Sequence, residues 1–320
     1  MSTTTPESMS TNLATVTSII TCISASVSVI SGLAILWSYR QVPHIQNYTR
    51  YLLLCLTIAD IFTAYGNLIS TVRWFIIGND KEKNDTYCVA QSFITTTSTL
   101  SAFFWTTAIA IYIFSAIALR VNIAEKRTGK IMMSAIPILI PVTITVVALG
   151  SGVLGEDDYS GSGPWCWIKS DVSNNVMWKL VTGKAWEVMT YMVTLVLYIL
   201  IKFSIWRENR RRGRYLRWSE ADNRLRDEDA IFGISWLFLV IARIWGTLRF
   251  FKQVFDVQLP QRVADILLYL QCVGDSSQAF WNFLFFFTFD PTLRQHVCPT
   301  RCFSSGERRM ESMAGDLDPD

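Results

Sequence analysis

Apolar residues in this chain come in long blocks, neither alternating nor confined to a helical stripe. No residue between Glu7 and Arg40 is charged. A helix needs about 20 apolar residues to cross a hydrocarbon core about 30 Å thick, so the pattern predicts a first span near Leu13–Trp37. Five further blocks predict spans near Tyr51–Ile77, Cys88–Leu119, Ile131–Gly150, Leu180–Phe203 and Ile231–Phe251, and a seventh lies near Val263–Phe289. Pro137 and Pro141 are expected to kink the fourth. The fold class is all-α: a membrane bundle of seven transmembrane helices followed by a short amphipathic helix. Three regions result, with an extracellular tail at 1–12, the bundle at 13–289 and a cytoplasmic tail at 290–320.

Composition agrees with lipid as part of the solvent. The chain is 51% hydrophobic and only 17% charged, against about 25% charged in soluble domains. Lys and Arg divide unevenly between its two sides. The stretches 38–50, 120–130, 202–230 and the tail after Asp290 carry 19, while the stretches on the other side carry 6. By the positive-inside rule the richer side is cytoplasmic, which puts the N-terminus outside in a multi-pass plasma-membrane protein. The Gly-rich run Gly150–Gly163 then belongs to an extracellular loop and reads as flexible.

Missing parts exclude several chemistries. His44 and His296 are the only histidines, both outside the spans, which disfavours a zinc or Ser–His membrane hydrolase. Thr182-Gly183-Lys184-Ala185 lacks the rest of a phosphate loop. The seventh span has no lysine for a retinal Schiff base, and no internal repeat suggests a duplicated transporter. No catalytic activity, cofactor, metal or nucleic-acid partner is expected.

Charges inside spans are costly and should face the bundle interior. Lys184 and Glu187 share a helical face and can pair. With Arg249, Asp275 and the Thr95–Ser101 hydroxyls, they suggest a polar cavity open to the outside, the candidate ligand site. The alternative is an interhelical packing network without a ligand. Asp60, Arg243 and Asp275 form a candidate intramembrane network, in which Arg243 pairs with Asp275 or with its rival Asp60.

Cys88 and Cys166 are the extracellular cysteines outside an apolar block, so a disulfide over the pocket is expected, with two free thiols as the alternative. The sequon at Asn84 lies outside, close to the membrane. On the inner side, Arg120 ends span three, and Arg207, Arg210, Arg211, Arg212 and Arg214 form a basic run. That run is either a topology signal touching anionic membrane lipid or the dock of a cytoplasmic partner. Asp290-Pro291 can start a tail helix. Cys298 and Cys302 beyond it are candidate palmitoylation sites, unless the tail is unstructured with reduced thiols.

Seven spans, the cysteine pair and the tail together resemble G-protein-coupled receptors. Trp165-Cys166-Trp167-Ile168 resembles the second-loop signature of their secretin/adhesion and cyclic-AMP-receptor-like groups. Leu56-Thr57-Ile58-Ala59-Asp60, Phe103-Phe104-Trp105-Thr106-Thr107-Ala108-Ile109-Ala110 and Leu180-Val181-Thr182-Gly183-Lys184-Ala185-Trp186-Glu187 look like motifs of an orphan subgroup. Span three ends Ala118-Leu119-Arg120-Val121, without the acidic-Arg-Tyr triplet of rhodopsin-like receptors. Span seven lacks their Asn-Pro-x-x-Tyr, and span six has no proline. The resemblance implies an orphan receptor that passes the signal of an unknown extracellular ligand to a heterotrimeric G protein. A seven-span channel or transporter using the polar cavity as its path is the alternative. The apolar inner halves of spans three and four weigh against it.

Overall fold

The computed structural model describes residues 6–41, 48–77, 86–156, 166–212 and 240–289. Its helices are α1 (Pro6–Gln41), α2 (Tyr48–Ile77), α3 (Thr86–Ile117) and α4 (Arg127–Gly150). The fifth segment begins with the short α5 (Asn175–Lys179), passes through a π-helical turn at Leu180–Lys184 and continues as α6 (Ala185–Arg212). The sixth is α7, described over 240–254. The seventh is divided into α8 (Gln261–Ser276) and α9 (Gln278–Phe289). Together they form an all-α bundle of seven membrane segments. By length and composition, the first five segments can each cross a bilayer on their own.

The bundle is inverted relative to a soluble protein. Ile30 and Ile76 are 68% and 78% exposed, while Thr21, Thr57 and Thr194 are 0% exposed. Lipid solvates large apolar side chains but offers hydroxyls no partner, so they turn inward. Many then bond one helical turn back, as Thr57 Oγ1 does to the Leu53 carbonyl (2.8 Å) and Thr71 Oγ1 to that of Asn67 (2.9 Å). Others bond between helices, as Thr63 Oγ1 does to Ser98 Oγ (3.0 Å).

Helix α3 is the hub: it packs on α2, α4 and α6, and on the loop strands β1 (Leu154–Glu156) and β2 (Cys166–Ile168). Helix α1 packs on α2, α8 and α9 and so closes the ring. The two strands form an antiparallel hairpin, with Leu154 opposite Ile168 and Glu156 opposite Cys166. Part of the Gly-rich run expected to be flexible is therefore ordered. Val153, Leu154 and Ile168 bury their apolar side chains with Ala148 at the end of α4. Residues 157–165 of that run lie outside the described residues.

Other boundaries also differ from the hydropathy pattern. Helix α6 continues nine residues beyond Phe203, so the basic run begins on a helix. Its Lys and Arg residues are good helix formers that raise polarity without ending the helix. The seventh span is interrupted at Ser277, where the hydrogen bonds are rerouted. Ala279 N–H donates to Ser28 Oγ on α1 (3.1 Å), and Gln278 Nε2 donates to the Gly274 carbonyl (2.9 Å). Pro137 and Pro141 lie inside α4 and are buried. The tail helix, Asn84, Arg214, Cys298 and Cys302 lie outside the described residues.

Gly274 marks a close approach between α8 and α7: a β-carbon there would collide with the Ala242 backbone carbonyl. Backbone yields less readily than a flexible side chain, and overpacking costs about 1–3 kcal/mol or more. Gly274→Val is therefore expected to lower the apparent Tm of the purified protein and its surface expression. A thermal melt unchanged from wild type would refute the close packing of these two segments.

Candidate functional site

A cavity of about 740 Å³ lies under the hairpin. Four features of the sequence put it there. Cys166 of β2 is disulfide-bonded to Cys88 near the start of α3, with the Cα atoms 5.5 Å apart. The Trp167 carbonyl accepts from Ser92 Oγ on α3 (2.6 Å). The Trp167 ring packs on Gly183, where a β-carbon would approach it to 2.9 Å. Gly183 sits in the π turn, whose extra residue displaces the helix face that follows. Two separate motifs of the sequence, around Cys166 and around Gly183, thus meet at the roof.

Below the roof the charges fall into linked groups. Lys184 Nζ and Glu187 Oε2 are 2.7 Å apart and both residues are buried. Glu187 Oε1 also accepts from Tyr191 Oη (2.7 Å) and from Thr247 Oγ1 of α7 (2.8 Å). Three donors thus hold one carboxylate, which offsets the cost of burying it. Arg249 Nη1 donates to Gln271 Oε1 (2.5 Å), and Gln271 Nε2 donates to Asp275 Oδ2 (3.0 Å). Lys184, Glu187, Arg249 and Asp275, the four candidate ligand residues, all line the cavity, as does Arg243.

The expected Arg243–Asp275 pair is not formed, and neither is its Asp60 rival. Arg243 is 4% exposed and holds its guanidinium 4.8 Å above the centre of the Phe103 ring. Asp275, Glu187 and Asp60 act on it through their fields, but no carboxylate among the described residues lies at ion-pair distance, and its Nη2 meets no acceptor. Asp60, outside the cavity lining, accepts from Asn282 Nδ2 of α9 (2.7 Å). Equal depth therefore brought these charges near one another, but amide side chains occupy both carboxylates.

At the other end of the bundle, Arg120 pairs with Glu208 of α6 (3.0 Å) and adopts a left-handed backbone, φ 54°. Arg207 is exposed, and Arg210 lies 4.2 Å over the Trp206 ring. Arg211 and Arg212 complete α6, and their side chains lie outside the described residues.

Sequence reasoning missed Tyr191, Thr247, Gln271 and Trp167 as parts of the site. Tyr191 follows Glu187 by one helical turn and was open to the spacing rule applied to Lys184. Thr247 and Gln271 lie on other segments, with no local signal linking them to Glu187 or Arg249.

Replacing Lys184 by Met leaves a buried carboxylate without its cation, which is expected to cost about 3–5 kcal/mol. Lys184→Met should therefore abolish most surface expression. The double variant Lys184→Met, Glu187→Gln removes both charges while keeping an acceptor for Tyr191 and Thr247, and should recover part of the loss. A double variant as impaired as the single one would show that the pair is not what stabilises this wall.

The sequence profile of the family described as 7 transmembrane receptor (rhodopsin family) matches residues 31–282. G-protein coupled receptor 157 of Homo sapiens is 28% identical over 271 residues, covering 82% of this chain and 76% of the relative. The Rattus norvegicus protein of the same name is 28% identical over 273 residues, covering 82% and 77%. The secretin/adhesion grouping suggested by the second-loop motif is thereby corrected, because the profile spanning most of the bundle is the rhodopsin-family one. That motif is four residues long and records how a loop is tied to α3, whereas the profile reads the helices themselves. The family makes the protein a multi-pass receptor of the plasma membrane that couples to G proteins, and a channel or transporter is not favoured. From span one to span seven, this chain belongs to the rhodopsin family of seven-transmembrane receptors.

Proposed function

We propose that this receptor is of the receptor 157 type, binds its ligand in the cavity under the hairpin, and docks its G protein at the opposite, arginine-rich end. One observation carries the reading: a single cavity is lined by charged side chains from α6, α7 and α8, three of the segments that join the two ends. A ligand that bridges them binds one bundle arrangement better than another and shifts the population accordingly. The N-terminus and the hairpin are then extracellular, as the Lys and Arg distribution indicates. Arg120, held by Glu208, and the run Arg207, Arg210, Arg211, Arg212 and Arg214 face the G protein. Inner-leaflet lipid and palmitoylated Cys298 and Cys302 would complete that surface, and Asn84 would be the outer glycosylation site.

Orientation is tested with epitopes. A tag at the N-terminus should stain on intact cells, and one at the C-terminus only after permeabilisation. The reverse pattern would overturn the assignment of both ends.

Coupling is tested by expressing the receptor with activation sensors for each Gα class. Arg210→Gln, Arg211→Gln and Arg212→Gln together should reduce G-protein activation per surface receptor several-fold more than they reduce surface expression. Unchanged signalling per receptor would reduce the run to a topology signal.

A further inference from the structure

We propose that the cavity is built for a small polar ligand with an anionic head, a carboxylate or phosphate, held between Lys184, Arg243 and Arg249. This deepens the reading of the cavity as the ligand site and rests on it.

The first support is an inventory of charge. Among the buried or half-buried residues lining the cavity, Lys179, Lys184, Arg243, Arg249 and Lys252 are cationic. Glu187, Asp265 and Asp275 are the carboxylates of that buried or half-buried set, and the exposed Asp256 is a fourth in the whole lining.

The second is the way hydrogen bonds are already spent around the cavity. Glu187 already accepts from Lys184, Tyr191 and Thr247, three of its about four acceptor sites, so it fixes Lys184 and offers little to a ligand. Asp265 already accepts from Gln261 (2.9 Å) and Asp275 from Gln271 (3.0 Å). On the donor side, Lys184 spends one of its three donors on Glu187.

The third is Arg243 itself, which is 96% buried by its 4% exposure, lines the cavity, and has a guanidinium Nη2 with no acceptor. Leaving a buried, charged donor unmet is costly, and a ligand acceptor would relieve that cost. Phe103 supports one face of its guanidinium but supplies no acceptor. An oxyanion would meet this need with charge-assisted bonds, and the planar guanidinium fork suits carboxylate and phosphate alike. The free oxygen of Asp275 would accept a hydroxyl or ammonium elsewhere on the same ligand. Polar residues of α2 and α3 complete the lining: Asn67, Gln91 and Thr96 border the cavity, and Gln91 Oε1 is a buried acceptor without a donor. A purely apolar ligand would leave Arg243 Nη2, Gln91 Oε1 and Thr96 Oγ1 unmet.

The test uses the full-length receptor purified in lipid nanodiscs, with unfolding followed by tryptophan fluorescence. The probes are sodium succinate and sodium phosphate, compared with sodium chloride of equal ionic strength and with tetraethylammonium chloride. Millimolar succinate or phosphate should raise the Tm saturably while the two chlorides do not, and the more effective anion identifies the head group. Arg243→Gln should weaken the half-maximal concentration at least about tenfold, the loss expected for one charge-assisted bond. If Arg243→Gln does not fold, Arg249→Gln should weaken it by a similar factor. No saturable shift with either anion, an equal shift with tetraethylammonium, or full retention of the shift in the arginine variant that folds would overturn the proposal. The Gα sensors separate this failure from that of the receptor reading: basal activation by wild type together with no anion effect removes only the ligand class.

Discussion

A bilayer offers no hydrogen-bond partner to a polar group, and that constraint governs this structure from the backbone to the cavity. It sends Ser and Thr side chains inward to bond the carbonyl one turn back or a hydroxyl on the next helix. It gathers ionised groups into the same interior. Large apolar side chains, free of any such demand, cover the outside. The cavity lies within this polar interior, lined by charged side chains from several segments.

Within that interior, the Lys184–Glu187 pair organises the wall between α6 and α7. The pair joins the last residue of the π turn, Lys184, to the first turn of α6, Glu187. Gly183 in that turn admits Trp167, and Trp167 brings the hairpin and its disulfide over the cavity. Thr247 extends the same carboxylate's contacts to α7. Roof, wall and neighbouring segment therefore depend on one stretch of chain. Breaking the seventh segment at Ser277 makes a comparable junction, because Ser28 of α1 takes the N–H that the interruption frees. Gly274, one turn earlier, lets α8 approach the α7 backbone.

Arg243 stands apart from these satisfied groups. Three carboxylates on three segments surround it electrostatically, yet amides or hydroxyls occupy each of them. A guanidinium near several carboxylates and hydrogen-bonded to none of them is held by packing and by their fields and not by one fixed partner. That property suits a receptor, whose function is to exchange one helix arrangement for another.

The number and approximate position of the spans were legible because lipid demands about twenty apolar residues in a row, a local property of the chain. The Lys184–Glu187 pair was legible because helical spacing is also local. The Cys88–Cys166 bond could be expected from the scarcity of other extracellular cysteines. The break at Ser277, the reach of α6 to Arg212 and the ordered strand inside the Gly-rich run were not legible, since each is decided by a partner distant in sequence or by a helix outlasting its apolar stretch. The secretin/adhesion grouping failed because a four-residue motif reports one loop and not the bundle. Depth along a helix placed Arg243, Asp275 and Asp60 near one another, but depth carries no information about rotation. Gln271 reaches Asp275 by helical spacing within α8, but only tertiary packing turned Asn282 to Asp60, Gln271 to Arg249 and Arg243 onto Phe103, because a side chain's partner on another helix is set by which faces meet once the helices are in contact.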